Sequence, residues 1–463
     1  MDETRTRITH DSLGEMRVPA DAYYGAQTQR AVENFPISGL RLPRRFIRAQ
    51  AILKAAAAFA GRELGALDRE RADAIMKAAE EVMAGRFDDQ FVVDVYQAGA
   101  GTSQNMNANE VIASRASELL GGSRGDLERV HPNDHVNFAQ STNDTIHVAT
   151  HIAGAEGLVH DLVPALARLE QSLSARAREF DPILKSGRTH LQDAVPMRLG
   201  QEFRGYAGMV AIHRRAVEAA VDGLYAIGMG GTAVGTGLNA PPGFSALAIE
   251  RIAAITGLPF RPPDEIFTFM QNLDAVVLAS GALRALAVGL TKLANDIRLL
   301  ASGPRTGLFE LALPAVQPGS SIMPGKVNPV MAEMLNQVAY QVVGHDATVM
   351  MAGQAAQLEL NVMMPVMAYN FLQSIHILAR GVDAFVTRCV DGLKANREVA
   401  EGYVERSTAM ATALNPLIGY EAAAKIAKEA FARDLTVRQV LQEKGMLTEE
   451  AERLLDPRPM TGS

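Results

Sequence analysis

Apolar residues recur every three to four positions over long stretches of this chain, the spacing typical of amphipathic helices. The pattern predicts five long helices, over Asp144–Phe180, Leu199–Tyr225, Asp274–Ala301, Met331 to about Leu358, and Tyr369–Asp391. Helices are also predicted over Arg44–Leu64, Arg69–Ala84 and Asn105–Leu120, and shorter ones over Arg397–Glu405, Tyr420–Phe431, Val437–Glu443 and Glu449–Leu455. The pattern therefore predicts a mainly all-α fold.

The length allows two or three domains, and we assign an N-terminal domain over residues 1–139, a central helical bundle over 140–393, and a small C-terminal domain of shorter helices over 394–463. Prolines and glycines punctuate the segment from Thr9 to Gly39, so we expect it to be irregular. A glycine-rich stretch over residues 228–239 lacks the Gly-Lys-Thr/Ser ending of a phosphate-binding loop. We interpret it as a tight loop that allows helices to approach closely.

The composition indicates which kinds of partner and which compartment to expect for this protein. The chain has 463 residues and a net charge of −7, which argues against a nucleic-acid partner. Its only cysteine is Cys389, so no intramolecular disulfide can form, which fits a reducing compartment. The polar start of the chain predicts no secretory signal, and the uncharged run Leu360–Ala379 contains too many polar residues for a membrane span. We therefore expect a cytoplasmic protein without membrane contact.

Polar clusters lie at three helix entries. A glycine-bearing turn precedes Thr102, four residues of helix-capping type occupy Ser141–Asp144, and a polar break contains Thr189-His190. One capping residue suffices for a helix, so four suggest that some of these side chains face a ligand. His147 and His151 have a spacing that can hold a metal. No third ligand accompanies them at a suitable spacing, so we predict no metal site.

A fourth polar segment lies between two long helices. Residues 316–330 contain three prolines and two glycines, which exclude a regular helix or strand. The resulting loop carries two hydroxyls (Ser320 and Ser321), one cation (Lys326) and one amide (Asn328). A cation and an amide suit a carboxylate ligand.

Eleven consecutive residues of this loop, Gly319-Ser320-Ser321-Ile322-Met323-Pro324-Gly325-Lys326-Val327-Asn328-Pro329, resemble the signature loop of the aspartase/fumarase superfamily. The resemblance covers nearly the whole chain, from about Asp11 to about Asp456. It implies a three-domain fold whose central helices form the core of a homotetramer. It also implies active sites that are each assembled from segments of three subunits, a small dicarboxylate substrate, and no cofactor.

The resemblance also implies the roles of individual residues. Ser320 is the base that removes a proton from C3 of the substrate, and Lys326 and Asn328 stabilise the adjacent carboxylate as an aci-carboxylate. Glu333 helps to order the loop. The residues that bind the other carboxylate and the leaving group are Thr102, Ser141, Thr142, Asn143, Thr189 and His190. His190 either carries a proton or orients a neighbouring group.

The leaving group is ammonia in aspartases and water in fumarases, and this sequence has features of both. Ala100 stands where fumarases typically have a serine, and Thr142 where they usually have a second serine. Both features resemble aspartase. Met364 instead replaces a glutamate usual in aspartases, and Ile146-His147 replaces the more usual Phe-Pro. We therefore expect ammonia elimination from L-aspartate, with fumarate hydration as the alternative. A catalytically inactive helical scaffold is a third possibility, which the intact loop argues against.

Overall fold

The computed structural model describes residues 6–462, and most of them are helical. The longer helices are α2 (Arg44–Glu63), α3 (Arg69–Met83), α4 (Thr102–Leu119), α5 (Thr142–Gly157), α6 (Val163–Phe180), α7 (Leu199–Leu224), α8 (Phe244–Thr256), α10 (Asp274–Leu300), α11 (Val330–Gly353), α12 (Met364–Arg388), α13 (Arg397–Arg406) and α15 (Tyr420–Ala432). The shorter ones are α1 (Ala26–Asn34), α9 (Ile266–Gln271), α14 (Asn415–Ile418), α16 (Val437–Glu443) and α17 (Glu449–Leu454). The predicted all-α class is confirmed.

Within residues 6–462, the strands form three antiparallel pairs. They are β1 (Thr6–Asp11) with β2 (Gly14–Pro19), β3 (Leu184–Thr189) with β4 (Gln192–Arg198), and β5 (Leu311–Ala312) with β6 (Lys394–Ala395). The second pair occupies the polar break around Thr189-His190. The sequence indicated an interruption there without identifying its strands.

The chain divides into two compact units. Unit 1 comprises residues 1–164, 215–287 and 340–379, and unit 2 comprises residues 165–214, 288–339 and 380–463. Each of the five long helices α6, α7, α10, α11 and α12 contributes residues to both units. The three predicted domains are continuous segments of the chain, whereas the units follow contacts in space. The three-domain division therefore stays a prediction.

Each unit has its own apolar core. In unit 1, α2, α3 and α4 bury Ile47, Ile75 and Ile112 against one another. In unit 2, a C-terminal cluster around Leu414, Val440 and Leu455 joins the short helices that follow α13. Alanines dominate the buried face of α2, so neighbouring helices can approach closely along it.

The expectation of an irregular segment from Thr9 to Gly39 is wrong. Strands β1 and β2 form a hairpin there, and α1 follows. The start of α1 is stabilised by the buried carboxylate of Glu110 on α4, which accepts hydrogen bonds from the backbone N–H groups of Gly25, Gln27 and Thr28. This cap comes from residues far along the chain, so the local pattern carried no sign of it.

The predicted helix Asp144–Phe180 is helical throughout but not uniform. A π-helical turn over Leu158–Leu162 separates α5 from α6. Gly154 lies one turn before it, and a Cβ at this position would come within 2.5 Å of the Phe371 ring. The helices therefore pack too closely here for a larger residue than glycine.

Two apolar helices, α12 and α10, are relevant to whether the protein contacts a membrane. The run Leu360–Ala379 forms a loop followed by the largely buried helix α12, as predicted. Helix α10 is long and apolar enough to cross a membrane by length and composition, and 44% of its most apolar window is buried. A helix that packs against other protein chains has the same composition. The absence of membrane contact stays a prediction.

Candidate active site

The segment Ser141–Asp144 begins α5 in unit 1. Ser141 is the N-cap, and its Oγ accepts a hydrogen bond from the backbone N–H of Asn143 at 3.2 Å. The carboxylate of Asp144 accepts the backbone N–H of Ser141 at 2.9 Å, which completes a capping box. Capping thus uses Ser141 and Asp144, and leaves the side chains of Thr142 and Asn143 for other contacts.

Asp144 also connects this segment to the glycine-rich loop. Its second carboxylate oxygen accepts the backbone N–H groups of Gly230 at 3.1 Å and Thr232 at 2.9 Å. The carboxylate is fully buried, and this burial raises the pKa of Asp144 to about 7. The loop therefore holds a carboxylate of its own chain, and its glycines allow the close approach that was predicted.

The side chains of Thr142 and Asn143 each form one hydrogen bond within residues 6–462. Asn143 Nδ2 donates to the backbone carbonyl of Ala233 at 2.8 Å, and Thr142 Oγ1 accepts from Asn105 Nδ2 at 3.2 Å. Because a carbonyl oxygen can only accept, the Asn143 amide must present its nitrogen to Ala233. Its oxygen, Oδ1, has no hydrogen-bond partner among residues 6–462 and is an available acceptor.

Thr102 begins α4 after the turn over residues 97–101, and its side chain is exposed. The turn requires its glycines. A Cβ on Gly99 would lie 1.8 Å from the carbonyl oxygen of Val362, and Gly101 has φ of +81° with Ile146 packed against it. Since Asn105 on the next turn of α4 contacts Thr142, the starts of α4 and α5 lie together. Unit 1 thus groups four of the predicted substrate residues.

Lys54, which was not predicted as a site residue, is connected to this group through Asn137. Lys54 is fully buried in α2, and its Nζ donates to Asn137 Oδ1 and Gln140 Oε1, both at 2.9 Å. Burial lowers the pKa of Lys54 to about 7, and the nearby charge of Asp144 partly opposes this change. A lysine within the buried alanine-rich face of a helix was the available signal, because lysine is almost never fully buried without a role.

His147 and His151 are both buried in α5. The Nδ1 atom of His147 lies 2.9 Å from the carbonyl oxygen of Asn143, and that of His151 lies 3.0 Å from the carbonyl oxygen of Ala226. Burial lowers the pKa of His147 to about 3 and that of His151 to about 4. Each ring therefore hydrogen-bonds to the backbone. No cluster of three metal-ligating side chains occurs in residues 6–462.

Thr189 and His190 lie at the tip of the β3–β4 hairpin in unit 2, and both are exposed. His190 and Leu191 form the two-residue turn with φ of 55° and 59°. Left-handed backbone at two consecutive non-glycine residues costs about 1–2 kcal/mol each. Such strain is concentrated at functional sites, so the turn itself marks His190 as a candidate, a signal that sequence periodicity does not contain.

Buried charges hold this hairpin in place. Glu310 is fully buried, and its carboxylate accepts Arg188 Nη1 at 2.8 Å and lies 3.5 Å from Lys185 Nζ. Arg188 directly precedes Thr189, so the ion pair fixes the backbone next to the predicted substrate residues. Gly187 forms an irregularity in the strand pairing, where a Cβ would lie 2.8 Å from the carbonyl oxygen of Val195.

The loop from Leu313 to Pro329 contains no helix or strand, as predicted. Its base is closed by the backbone N–H of Gly319, which donates to the carbonyl of Lys326 at 2.9 Å, and by Asn328 Nδ2, which donates to the carbonyl of Gly319 at 2.5 Å. Ser320 Oγ accepts the backbone N–H groups of Ile322 at 3.2 Å and Met323 at 3.0 Å. Two such donors stabilise negative charge on this oxygen.

Lys326 and Glu333 differ in their surroundings. Lys326 is exposed and forms no ion pair within residues 6–462, so its charge is available to a ligand. Glu333 lies in the first turn of α11, where its backbone N–H donates to the carbonyl of Pro329. The Glu333 carboxylate forms no hydrogen bond within residues 6–462. The loop-ordering role of Glu333 stays a prediction.

Comparison with known protein families shows that the chain is a lyase. A family model described as "Lyase" matches residues 14–344, and one described as "Fumarase C C-terminus" matches residues 410–462. The chain belongs to the aspartase/fumarase superfamily.

Relatives in this superfamily catalyse both reactions. The chain is 55% identical over 456 residues to a class II fumarate hydratase of Halobacterium salinarum, covering 98% of this chain and 97% of the relative. It is 49% identical over 459 residues to an aspartate ammonia-lyase of a Bacillus species, covering 99% and 98%. Similarity therefore assigns the lyase class, while the leaving group has to be argued from the site.

Solved structures agree with the fold. A fumarate lyase:delta crystallin of Brucella melitensis, bound to cobalt, matches with a TM-score of 0.95 and 46% identity over 99% of this chain and 100% of that one. A class II fumarase of Schistosoma mansoni matches with a TM-score of 0.94 and 38% identity, over 98% of each chain.

Proposed function

We propose that this enzyme eliminates ammonia from L-aspartate to give fumarate, reversibly and with anti geometry, through an aci-carboxylate carbanion. In this proposal, Ser320 removes the C3 proton, and Lys326 and Asn328 stabilise the charge that develops on the adjacent carboxylate. Thr102, Ser141, Thr142, Asn143, Thr189 and His190 hold the other carboxylate and the leaving group. No cofactor takes part.

The orientation of the Asn143 amide carries the choice of ammonia. Its nitrogen donates one N–H to the Ala233 carbonyl, and its oxygen accepts no hydrogen bond from residues 6–462, so this oxygen can accept from a ligand. An ammonium group offers three donors and a positive charge to such an oxygen, whereas a hydroxyl offers one donor and no charge. Ala100 adds no hydroxyl to this region. Both features favour an ammonium leaving group.

The base role of Ser320 is supported by its two backbone donors. A neutral serine hydroxyl is a weak base. Stabilising its oxyanion makes the deprotonated form, which removes the proton, more accessible. The N–H groups of Ile322 and Met323 provide this stabilisation, and the charge of Lys326 on the same loop adds to it.

We further propose a homotetramer in which three subunits build each site. The support is an exposed apolar surface on α10 and α11, where Leu278 is 71%, Tyr340 58% and Met351 61% exposed. Exposed apolar surface on long helices is typical of protein interfaces. Mixing subunits of two inactive variants, Ser320→Ala and Thr102→Val, should restore part of the activity, because some sites then combine two intact segments. If no mixture regains activity, shared sites are refuted.

His190 has two candidate roles. As a proton carrier it needs a titratable ring, and as an orienting group it needs only a hydrogen-bonding side chain. The variant His190→Asn keeps a hydrogen-bonding side chain that tolerates the left-handed backbone. If turnover largely survives in this variant, the orienting role holds, and if it is lost, the proton-carrying role holds.

Fumarate hydration is the second candidate. It is favoured by the 55% identity to the Halobacterium salinarum enzyme and by Met364, which is buried where aspartases usually carry glutamate. The test follows the ultraviolet absorbance of fumarate with L-aspartate and, separately, with L-malate. We expect turnover of L-aspartate. Turnover of L-malate alone would establish the hydratase, and turnover of neither would support an inactive scaffold.

A further inference from the structure

The β3–β4 hairpin is held by two carboxylates, one on each side of its irregularity at Gly187. On the side of the base, Lys185 is 3% exposed and its Nζ donates to Glu202 Oε2 on α7 at 2.7 Å. On the side of the tip, Arg188 Nη1 donates to Glu310 Oε1 at 2.8 Å. Because the irregularity interrupts the strand pairing between these two contacts, they hold different parts of the hairpin.

The tip beyond Gly187 has one polar attachment. Residues 189–193 are all exposed, and no side chain of residues 189–195 forms a hydrogen bond or ion pair within residues 6–462. The side chain of Arg188 is only 13% exposed, and its Cζ also lies 5.3 Å from the centre of the Tyr403 ring on α13. Within that part of the chain, Arg188 therefore provides the polar contact between the tip and the rest of unit 2.

The Glu310 carboxylate is a fixed partner for this arginine. It is fully buried, and its Oε2 forms no hydrogen bond within residues 6–462, although Lys185 Nζ lies 3.5 Å away. The backbone of Glu310 is held as well, because its carbonyl accepts the N–H of Asn396 at 2.8 Å beside the β5–β6 pair. A buried carboxylate on a fixed backbone gives the Arg188 guanidinium one defined position.

The strained turn at the tip depends on such an anchor. His190 and Leu191 have φ of 55° and 59°, and both side chains are exposed. Strained backbone persists where the surrounding structure determines it. Arg188 directly precedes Thr189, so the position of the guanidinium determines where the Thr189 hydroxyl lies.

We propose that Glu310 is a positioning residue that acts through Arg188 to hold Thr189 in its substrate-binding position. The inference rests on the proposed function, because it takes Thr189 as a substrate residue. Without the Glu310 carboxylate, the guanidinium turns to solvent and the strained turn relaxes. Thr189 then has to be ordered at the moment the substrate binds. Glu202 holds the base of the hairpin and has no such effect.

A double-mutant cycle tests this role. The variants are Glu310→Met, Thr189→Val and both together, and the measured quantity is the dissociation constant of succinate, determined by calorimetry on the full-length assembled protein. Succinate has both carboxylates and no leaving group. Glu310→Met should raise the dissociation constant about tenfold, because ordering the tip then opposes binding. It should have no further effect in the Thr189→Val background, where the hydroxyl that it positions is absent.

The matched control is Glu202→Met. It removes the other carboxylate that holds the hairpin, so both variants should lower the urea midpoint of unfolding. Only Glu310→Met should change the dissociation constant of succinate, because Glu202 acts on the base side of Gly187. An equal rise of the dissociation constant in both single variants would show a general loss of stability and overturn the positioning role.

The remaining outcomes separate this inference from the proposed function. If Glu310→Met leaves the dissociation constant unchanged, or raises it equally with and without the Thr189 hydroxyl, Glu310 does not act through Thr189. If Thr189→Val alone has no effect, Thr189 is not a substrate residue and the inference fails with it. Ammonia elimination is judged separately, by the fumarate absorbance of the wild type with L-aspartate.

Tyr403 provides a second test for the case in which Glu310→Met does not fold. Tyr403→Leu removes the ring next to the Arg188 guanidinium and should raise the dissociation constant about two- to fivefold, again only when the Thr189 hydroxyl is present. Tyr403→Phe keeps the ring and should bind succinate like the wild type. An unchanged constant in Tyr403→Leu, equal losses in both variants, or a loss that persists in the Thr189→Val background would overturn the proposal.

Discussion

Two parts of the molecule that carry predicted substrate residues are built in opposite ways. Segment Ser141–Asp144 is tied to two other segments. Asp144 and Asn143 bind the glycine-rich loop, at Thr232 and Ala233, and Thr142 contacts α4. The loop Gly319–Asn328 is mostly exposed, and within the described residues 6–462 the hydrogen bonds that close it lie inside the loop itself. Anchored groups suit recognition, and a loop with few outside contacts suits a group that has to approach the substrate.

We expect variants in the two regions to have different consequences. Changes in the loop should alter turnover and leave stability nearly unchanged. Changes to buried residues that contact the segment Ser141–Asp144 should alter the free energy of unfolding. The hairpin that carries Thr189 and His190 combines both designs, because a buried ion pair holds its base while its exposed tip is strained.

The largest effect is expected for Ser320→Ala. Removing the base should lower kcat about 10²–10⁴-fold, the range for general acid–base catalysis, while calorimetry shows succinate binding within a few-fold of the wild type. Ser321→Ala is the matched control, since Ser321 Oγ accepts no backbone N–H in residues 6–462. It should retain at least about tenfold more turnover than Ser320→Ala. Wild-type turnover in Ser320→Ala would remove this serine from the base role.

Lys326→Ala should have the next largest effect. Losing the charge that stabilises the aci-carboxylate should lower kcat/KM about 10²–10³-fold, with KM raised and kcat lowered together. The unfolding midpoint in urea should not change, because Lys326 forms no ion pair in residues 6–462. Lys425→Ala, at an exposed position of α15, is the control and should behave like the wild type. Normal kinetics for Lys326→Ala would contradict its role as a carboxylate clamp.

The variant His147→Leu tests, through the pH dependence of stability, the buried histidine whose ring contacts the carbonyl oxygen of Asn143. Burial lowers the pKa of His147 to about 3. As pH falls below about 6.5, the unfolded chain therefore binds a proton that the folded chain does not, and the free energy of unfolding decreases. At about pH 4.5 this loss amounts to roughly 3 kcal/mol, and the variant should lack it.

Urea unfolding of the wild type and His147→Leu at two pH values provides the measurement. The variant should gain stability relative to the wild type between about pH 7 and about pH 4.5. Asp144 acts in the opposite direction, since its raised pKa stabilises the folded state as pH falls below about 7, but it is present in both proteins. A difference in stability that does not change with pH would show that His147 is not held neutral.

Leu191→Gly should have the smallest effect. Leu191 is 70% exposed and has φ of 59°, a conformation that glycine adopts without strain. The substitution should raise the free energy of unfolding by about 0.5–1 kcal/mol. Leu13→Gly is the control, because Leu13 is also exposed but lies outside the left-handed region. Equal stabilisation by both changes would mean that the turn is not strained.

The sequence predicted the elements that depend on local pattern and missed those that depend on distant residues. Helix α16 has its predicted bounds, Val437–Glu443, because its apolar positions and its Thr436 cap lie within the segment itself. Helix α1 was missed because its cap is Glu110, which lies on α4. Lys54 was missed because its hydrogen-bond partners, Asn137 and Gln140, are distant in sequence.

The same distinction applies to the site. The loop around Ser320 is identifiable from its order of glycines, prolines and polar residues alone. The acceptor role of Asn143 is not, because it depends on which backbone carbonyl meets its amide nitrogen. The strained turn at His190 also escapes sequence reading, since histidine and leucine are not typical of a left-handed turn.

The most direct test of the account supplies the enzyme with fumarate and ammonium in heavy water and identifies the product by nuclear magnetic resonance. If the Asn143 oxygen receives an ammonium group and Ser320 returns a proton to C3, the product is L-aspartate with one deuterium at C3. Formation of deuterated malate and no aspartate under these conditions would contradict the account.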